Sequence, residues 1–264
     1  MNHDMKPVRL ADLTARQFAA AATANPVILL PLGSHEDHGP HLPMGDFVVA
    51  ELLAAKIATA CAAPVFVAPT LPYGAADYFA SSPGAMALSP AGFRAVLHDL
   101  LGGLIAQGLT RIVILNGHGG NAPIIHEVTL GIKNAQNIVI PSFYLWKIAR
   151  ALMAQALPAG SSARFGHGAE PLASVSLALR PALTDFTALP AQPLHTELGL
   201  PVCGFGTVDF EGLPVDVPSQ FHQVPDDPVR AAAPLASAAL GTQVADALVA
   251  KAAAFITHFA AFTG

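Results

Sequence analysis

Between His35 and Asp46 the chain carries three histidines and three acids: His35, Glu36, Asp37, His38, His41 and Asp46. Only 12% of all residues are Asp, Glu, Lys or Arg, so charge is concentrated here. Carboxylate oxygens and imidazole nitrogens offered together suit zinc, manganese or iron better than calcium. Glu36 and His38 are one residue apart. In extended backbone, side chains at i and i+2 point the same way, so both can reach one cation; a polar surface loop is the competing reading. Asp46 follows after His41-Leu42-Pro43 has turned the chain, and a carboxylate can bridge two cations. A competing use for Asp46 is as N-cap of a helix beginning near Phe47; the two uses can coexist through different oxygens.

Two further clusters lie downstream. In Asn116-Gly117-His118-Gly119-Gly120-Asn121 the glycines permit a tight strand-to-helix turn and close approach to the backbone. His118 is there a candidate metal ligand. The alternative, a phosphate-cradling loop, lacks the Lys-Ser/Thr and the Gly-x-Gly-x-x-Gly spacing. In Gly166-His167-Gly168-Ala169-Glu170 the acid heads an apolar helix over 172–179. First-turn stabilisation of the helix dipole competes there with chemistry. His98, His126, His195, His222 and His258 have no comparable setting and read as ordinary histidines.

These clusters need elements to position them. Short Val-, Ile- and Leu-rich runs at 27–32, 65–68, 112–115 and 138–140 read as strands covered on both faces. Helical stretches at 10–22, 47–60, 90–107 and 121–134 accompany them, the first capped by Asp12 or Thr14. This alternation predicts an α/β fold, a three-layer α/β/α arrangement on a mostly parallel sheet, as one domain over 1–264. Ligands of such sheets bind beyond the carboxyl ends of the strands. The strand at 27–32 delivers Glu36 and His38 to that edge, and the strand at 112–115 delivers His118. Residues 181–228, rich in Pro and Gly, read as irregular structure with at most a short hairpin near 202–205. An alanine-rich helix or helices over 228–262 close the chain.

Composition narrows the function classes. The net charge of −5 and the lack of a basic patch argue against nucleic acid. The apolar stretch 231–254 is broken by Pro234, Gly241, Gln243, Asp246 and Lys251, which favours a buried helix over a membrane span. The N-terminal residues lack a secretion pattern, and Cys61 and Cys203 read as buried thiols, so the expected compartment is the cytoplasm. The 53% apolar content makes self-association plausible.

Taken together, the motifs resemble the creatininase (creatinine amidohydrolase) family. The matching residues are Gly33-Ser34-x-Glu36-x-His38-Gly39-Pro40-His41-Leu42-Pro43 with Asp46, then Leu71-Pro72-Tyr73-Gly74 with Pro83-Gly84, then 116–121, and His167-Gly168-Ala169-Glu170 followed by 178–181. The likeness covers roughly residues 10–181. It implies two divalent metal ions per subunit, zinc first, with manganese or iron as alternatives. Glu36, Asp46 and His118 would hold one and His38, Asp46 and Glu170 the other. Gly120 stands where creatininase itself has an acid, and the likeness is to members with the Gly-Gly-Asn form, in which Glu170 supplies that ligand. The resemblance also implies a homo-oligomer, a hexamer. Departures bear on substrate: Tyr78-Phe79 replace Glu-His, Leu172 replaces an acid, the step from His38 to Asp46 is one residue short, and Trp146 is the only tryptophan. Creatinine is therefore a doubtful substrate.

The expected chemistry is hydrolysis of a C–N bond in a small-molecule amide, cyclic amide or formamide by a metal-bridging hydroxide. His167 is the candidate proton donor to the leaving nitrogen, with Glu170 sharing proton handling. Backbone N–H groups of Gly119 and Gly120 could hold the substrate. The competing expectation is a non-catalytic metal-binding or scaffold protein on the same fold.

Overall fold

The computed structural model describes residues 8–157, 165–188, 196–204, 206–218 and 236–262. Its centre is a parallel sheet of β1 (Val27–Leu32), β2 (Val65–Val67), β3 (Ile112–Asn116) and β4 (Ser142–Tyr144), in the order β2-β1-β3-β4. Register runs Val27 opposite Val65 and Ile28 opposite Ile112. Side chains alternate across the sheet, as the two-residue strand period requires. Val27, Leu29, Val113 and Leu115 face one core, and Ile28, Leu30, Ile112 and Ile114 face the other.

The first core is closed by α2 (Asp46–Ala60), α5 (Leu145–Ala156) and α7 (Ala238–Ala261), through residues such as Leu53, Met153 and Leu248. The second is closed by α3 (Pro90–Ala106) and α4 (Asn121–Gln136), through Phe93, Leu97, Ile125 and Val128. Helix, sheet and helix thus form the three layers expected from the sequence. α1 (Ala15–Ala22) starts at Thr14, whose side chain forms a capping box with Gln17; of the two expected caps, Thr14 is used and Asp12 is not. α6 (Leu172–Leu179) lies under α7. By length and composition α7 could cross a membrane, but Val244, Ala245, Leu248, Ala252 and Ile256 are buried in the protein core.

Strand order places the site. β1 leads through α2 to β2 on one side, and β3 leads through α4 to β4 on the other. α2 and α4 pack on opposite faces, so a crevice opens beyond the adjacent carboxyl ends of β1 and β3.

Several expectations need correction. The apolar run 138–140 is not a strand; it leads into one, and the ladder forms at Ser142, Phe143 and Tyr144 against Ile114, Leu115 and Asn116. Pro141 still contributes its carbonyl, which accepts from Ile114. α5 was not anticipated. Residues expected to be irregular hold a four-stranded antiparallel sheet: β5 (Thr196–Glu197), β6 (Leu200–Gly204), β7 (Thr207–Phe210) and β8 (Leu213–Asp216). The closing helix begins at Ala238; residues 228–235 lie outside the described set. Cys61 is half-buried and Cys203 exposed, both as free thiols, where two buried thiols were expected.

Candidate metal centre

After β1 the chain folds back on itself. His35 bridges Gly45, and the Glu36 N–H donates to the Met44 carbonyl at 3.0 Å. This return places Asp46 beside Ser34. The Ser34 N–H donates to Asp46 Oδ1 at 2.6 Å and its hydroxyl to Oδ2 at 3.0 Å. Gly33 is required at this crossing, because a Cβ there would stand 2.4 Å from Asp46 Oδ1 and from the Phe47 Cα. Asp46 is therefore not an N-cap. Gly45 holds that position, and the aspartate opens α2 with its carboxylate turned back to the strand end.

β3 delivers His118 through an asparagine framework. Asn116 binds the His118 backbone on both sides, at 2.7 and 3.1 Å. Asn121 donates to the Gly33 carbonyl at 3.1 Å and to Asn116 Oδ1 at 3.2 Å, and accepts from Ala75 N–H at 2.8 Å. One buried amide thus ties three loops together. Gly120 has to be glycine, since a Cβ would meet the Ala75 carbonyl at 2.2 Å.

The acids and imidazoles converge. His118 Nδ1 lies 2.9 Å from Glu36 Oε2, 3.7 Å from Asp46 Oδ2 and 3.1 Å from Ser34 Oγ. Its Nε2 faces the Ala75 carbonyl at 3.1 Å and the Tyr78 hydroxyl at 3.3 Å. His38 Nε2 is 3.2 Å from Glu36 Oε1, and His167 Nδ1 is 3.9 Å from the same oxygen. His167 Nε2 donates to the Asp37 carbonyl at 2.6 Å, and its ring is stacked between His38 and Phe79. A metal-binding imidazole typically donates its second ring nitrogen to a carbonyl, which fixes the tautomer. His118 and His167 both have this arrangement.

Two groups of ligand atoms therefore lie within mutual reach: Glu36, Asp46 and His118, and Glu36, His38 and His167. Glu36 belongs to both. His38 Nδ1 is buried without a hydrogen-bond partner, the cost a cation would relieve. Glu36, Asp46 and His118 are each at most 3% exposed. This donor set fits a transition-metal ion.

Electrostatics agree. Burial alone would raise Glu36, but the charge and contacts of His118 and His38 hold it well below the usual carboxylate range. Burial would lower His118, but Glu36 and Asp46 outweigh it and raise it to about 10. Burial pushes Asp46 up. Tyr144 is pushed up to about 12 by burial and by the two carboxylates, so it is a neutral donor at neutral pH.

A cavity of ≈ 410 Å³ opens over this cluster. Glu170 lines it but joins neither group. Its carboxylate accepts from Ser174 Oγ at 2.6 Å and Ser174 N–H at 3.2 Å. Leu172 and Trp146 also line the cavity, and the Trp146 indole N–H donates to the Gly117 carbonyl. His41 stands apart, its Nε2 on the Gly168 carbonyl at 2.6 Å. His35 stacks on Phe47. His98, His126 and His258 are exposed, while His195 and His222 lie outside the described residues. Reading the sequence missed roles for Ser34, Asn116, Asn121, Tyr144, Lys147 and Arg150. The asparagines bracketing 116–121 were the available signal for two of them.

The family profile described as creatinine amidohydrolase matches residues 11–256. A mycofactocin precursor peptide peptidase of Mycolicibacterium smegmatis is 35% identical over 124 residues, 45% of this chain and 49% of that protein. The match thus spans about half the length of that peptidase. A creatinine amidohydrolase of Pseudomonas putida is 28% identical over 207 residues, 72% of this chain and 79% of that protein. A creatininase crystal structure superposes with a TM-score of 0.77 at 23% identity, covering 98% of this chain and 100% of the other. Creatininases described as a manganese form and a Zn–Zn form give TM-scores of 0.76 and 0.73 at 24% and 22% identity, each covering 96% of this chain and 98% of the other. With a profile that runs almost from end to end and a shared three-layer fold, the chain belongs to the creatinine amidohydrolase (creatininase) family.

Proposed function

We propose that the enzyme hydrolyses a C–N bond in an amide, cyclic amide or formamide with the help of two divalent cations. The observation that carries this reading is Glu36, buried and shared between two groups of ligand atoms at the bottom of an open cavity. Relatives named an amidohydrolase and a peptidase support the bond class. When bound, such cations polarise a carbonyl oxygen and bring the pKa of water toward neutrality.

Glu36, Asp46 and His118 would hold one cation. His38 would anchor the second, with Asp46 and Glu170 supplying negative charge. The structure gathers Glu36 and His167 closer to His38 than Glu170 is drawn. Charge balance nevertheless favours recruiting Glu170, because two dications need the three carboxylates that line the cavity. Glu170 would exchange its Ser174 hydrogen bonds for the cation. His167 is then left for proton transfer at Nδ1, since Nε2 is committed to Asp37. Tyr144 and the Gly119 backbone line the same space and can orient the amide. A homo-oligomer, including a hexamer, belongs to this proposal; exposed Phe210 and Leu213 on the antiparallel sheet, and Leu198 in the turn between β5 and β6, support association.

The test is a panel of cyclic amides, formamides and short peptides, assayed after chelation and again after adding zinc or manganese. Hydrolysis of at least one class, lost on chelation and restored by metal, is expected. Hydrolysis that survives complete metal removal would refute the reading.

A further inference from the structure

The cavity is acidic where it is deepest and basic where it meets solvent. Glu36 and Asp46 lie buried at its base, whereas Lys147 and Arg150 are exposed on α5 and are the only Lys or Arg among the described lining residues. The two are three residues apart and so share one helix face. The opposite face of α5 is fixed in the core through Leu145, Ala149 and Met153. The start of α5 is tied to the metal-centre loop by the bond from the Trp146 indole to the Gly117 carbonyl.

Neither cation has a carboxylate at ion-pairing distance among the described residues. The Arg150 guanidinium carbon sits 4.8 Å over the Phe165 ring. Stacking on an aromatic face orients a guanidinium while leaving its N–H edges free for a planar anion. A pre-oriented guanidinium and a flexible ammonium, without a carboxylate partner among the described residues, thus stand beside a cavity of ≈ 410 Å³, within the size range of small-molecule sites.

We propose that the amide substrate carries a carboxylate, bound by Arg150 and Lys147 at the cavity mouth while the scissile group lies over Glu36 and His118. This rests on reading the cavity as the amide site, and it names the substrate class: an acidic amide, such as an N-acyl amino acid or a peptide with a free carboxyl end. The same pair disfavours cationic substrates.

The test uses zinc-loaded protein and the fluorescence of Trp146, the only tryptophan and a cavity-lining residue. Hippurate and hippuramide differ in charge but hardly in size. Hippurate is expected to bind at least about tenfold more tightly, with the preference falling as salt is added. In the double variant Arg150→Met, Lys147→Met, with zinc content checked, the hippurate-over-hippuramide ratio should fall to within about twofold of one. No preference in the wild type, no binding of either compound, or a preference that survives in the double variant would overturn the proposal. So would benzamidomethylphosphonate binding about tenfold more tightly than hippurate, which would reassign the site to phosphate-like anions. The titration needs no turnover. A preference without hydrolysis of any amide counts against the reaction alone, and hydrolysis without a preference counts against the basic wall alone.

Discussion

His118 Nδ1 lies 2.9 Å from Glu36 Oε2, although the two residues follow different strands. Two lone pairs cannot rest at that distance, so something positive must lie between or upon them. With no metal bound, a proton on Nδ1 fills that place, and the Glu36 and Asp46 carboxylates outweigh burial to raise His118 to about 10. A cation binding there must displace it. Zinc binding near neutral pH should therefore release at least one proton, measured by calorimetry in buffers of different ionisation enthalpy. Affinity should rise with pH up to about 10. Binding with no proton release would contradict this geometry.

The same proton stabilises the metal-free fold. A histidine raised from about 6.5 contributes stability that is fully present below that value. The contribution is lost as pH rises through the folded value of about 10. Urea midpoints of metal-free protein should fall across this window, and His118→Asn should flatten the fall. An equal slope in the variant would exclude His118 as its source.

His167 is held by Asp37 at Nε2 and by ring stacking on both faces, so its removal should disturb chemistry more than metal content. His167→Gln is expected to keep both metal equivalents while kcat falls by about 10²–10⁴-fold. Loss of one equivalent would instead make His167 a ligand.

The crossing of Gly33 over Asp46 can be tested apart from metal. Gly33→Ala should destabilise by about 1–3 kcal/mol, because its Cβ would collide with the α2 backbone. Gly102→Ala, where a Cβ meets nothing within 4 Å in α3, should be neutral or stabilise by about 0.5–1 kcal/mol. Chemical denaturation of the two variants compares them directly.

What could be read in the sequence follows from where hydrophobic pattern and function coincide. β1 and β3 are continuous apolar runs because both faces of each are buried, and they end at the residues that gather around Glu36. β4 was misplaced because the apolar residues 138–140 precede the paired ones, and Ser142 is polar and exposed. α5 escaped because Tyr144 passes straight from strand to helix with no capping side chain. The antiparallel sheet was hidden by Pro and Gly, and by β8, which is exposed throughout. Asp46 reads as a cap because caps are local, whereas its bond to Ser34 depends on the return of the loop. Lys147 and Arg150 had no local motif; only the placement of α5 brings them to the cavity.

Glu36 is common to both groups of ligand atoms, so its replacement tests the account most directly. Metal analysis of untagged protein reconstituted with zinc should give about two equivalents in the wild type. Glu36→Ala and His118→Ala should each lose at least one equivalent. Full metal content retained by both Glu36→Ala and His118→Ala would contradict the account.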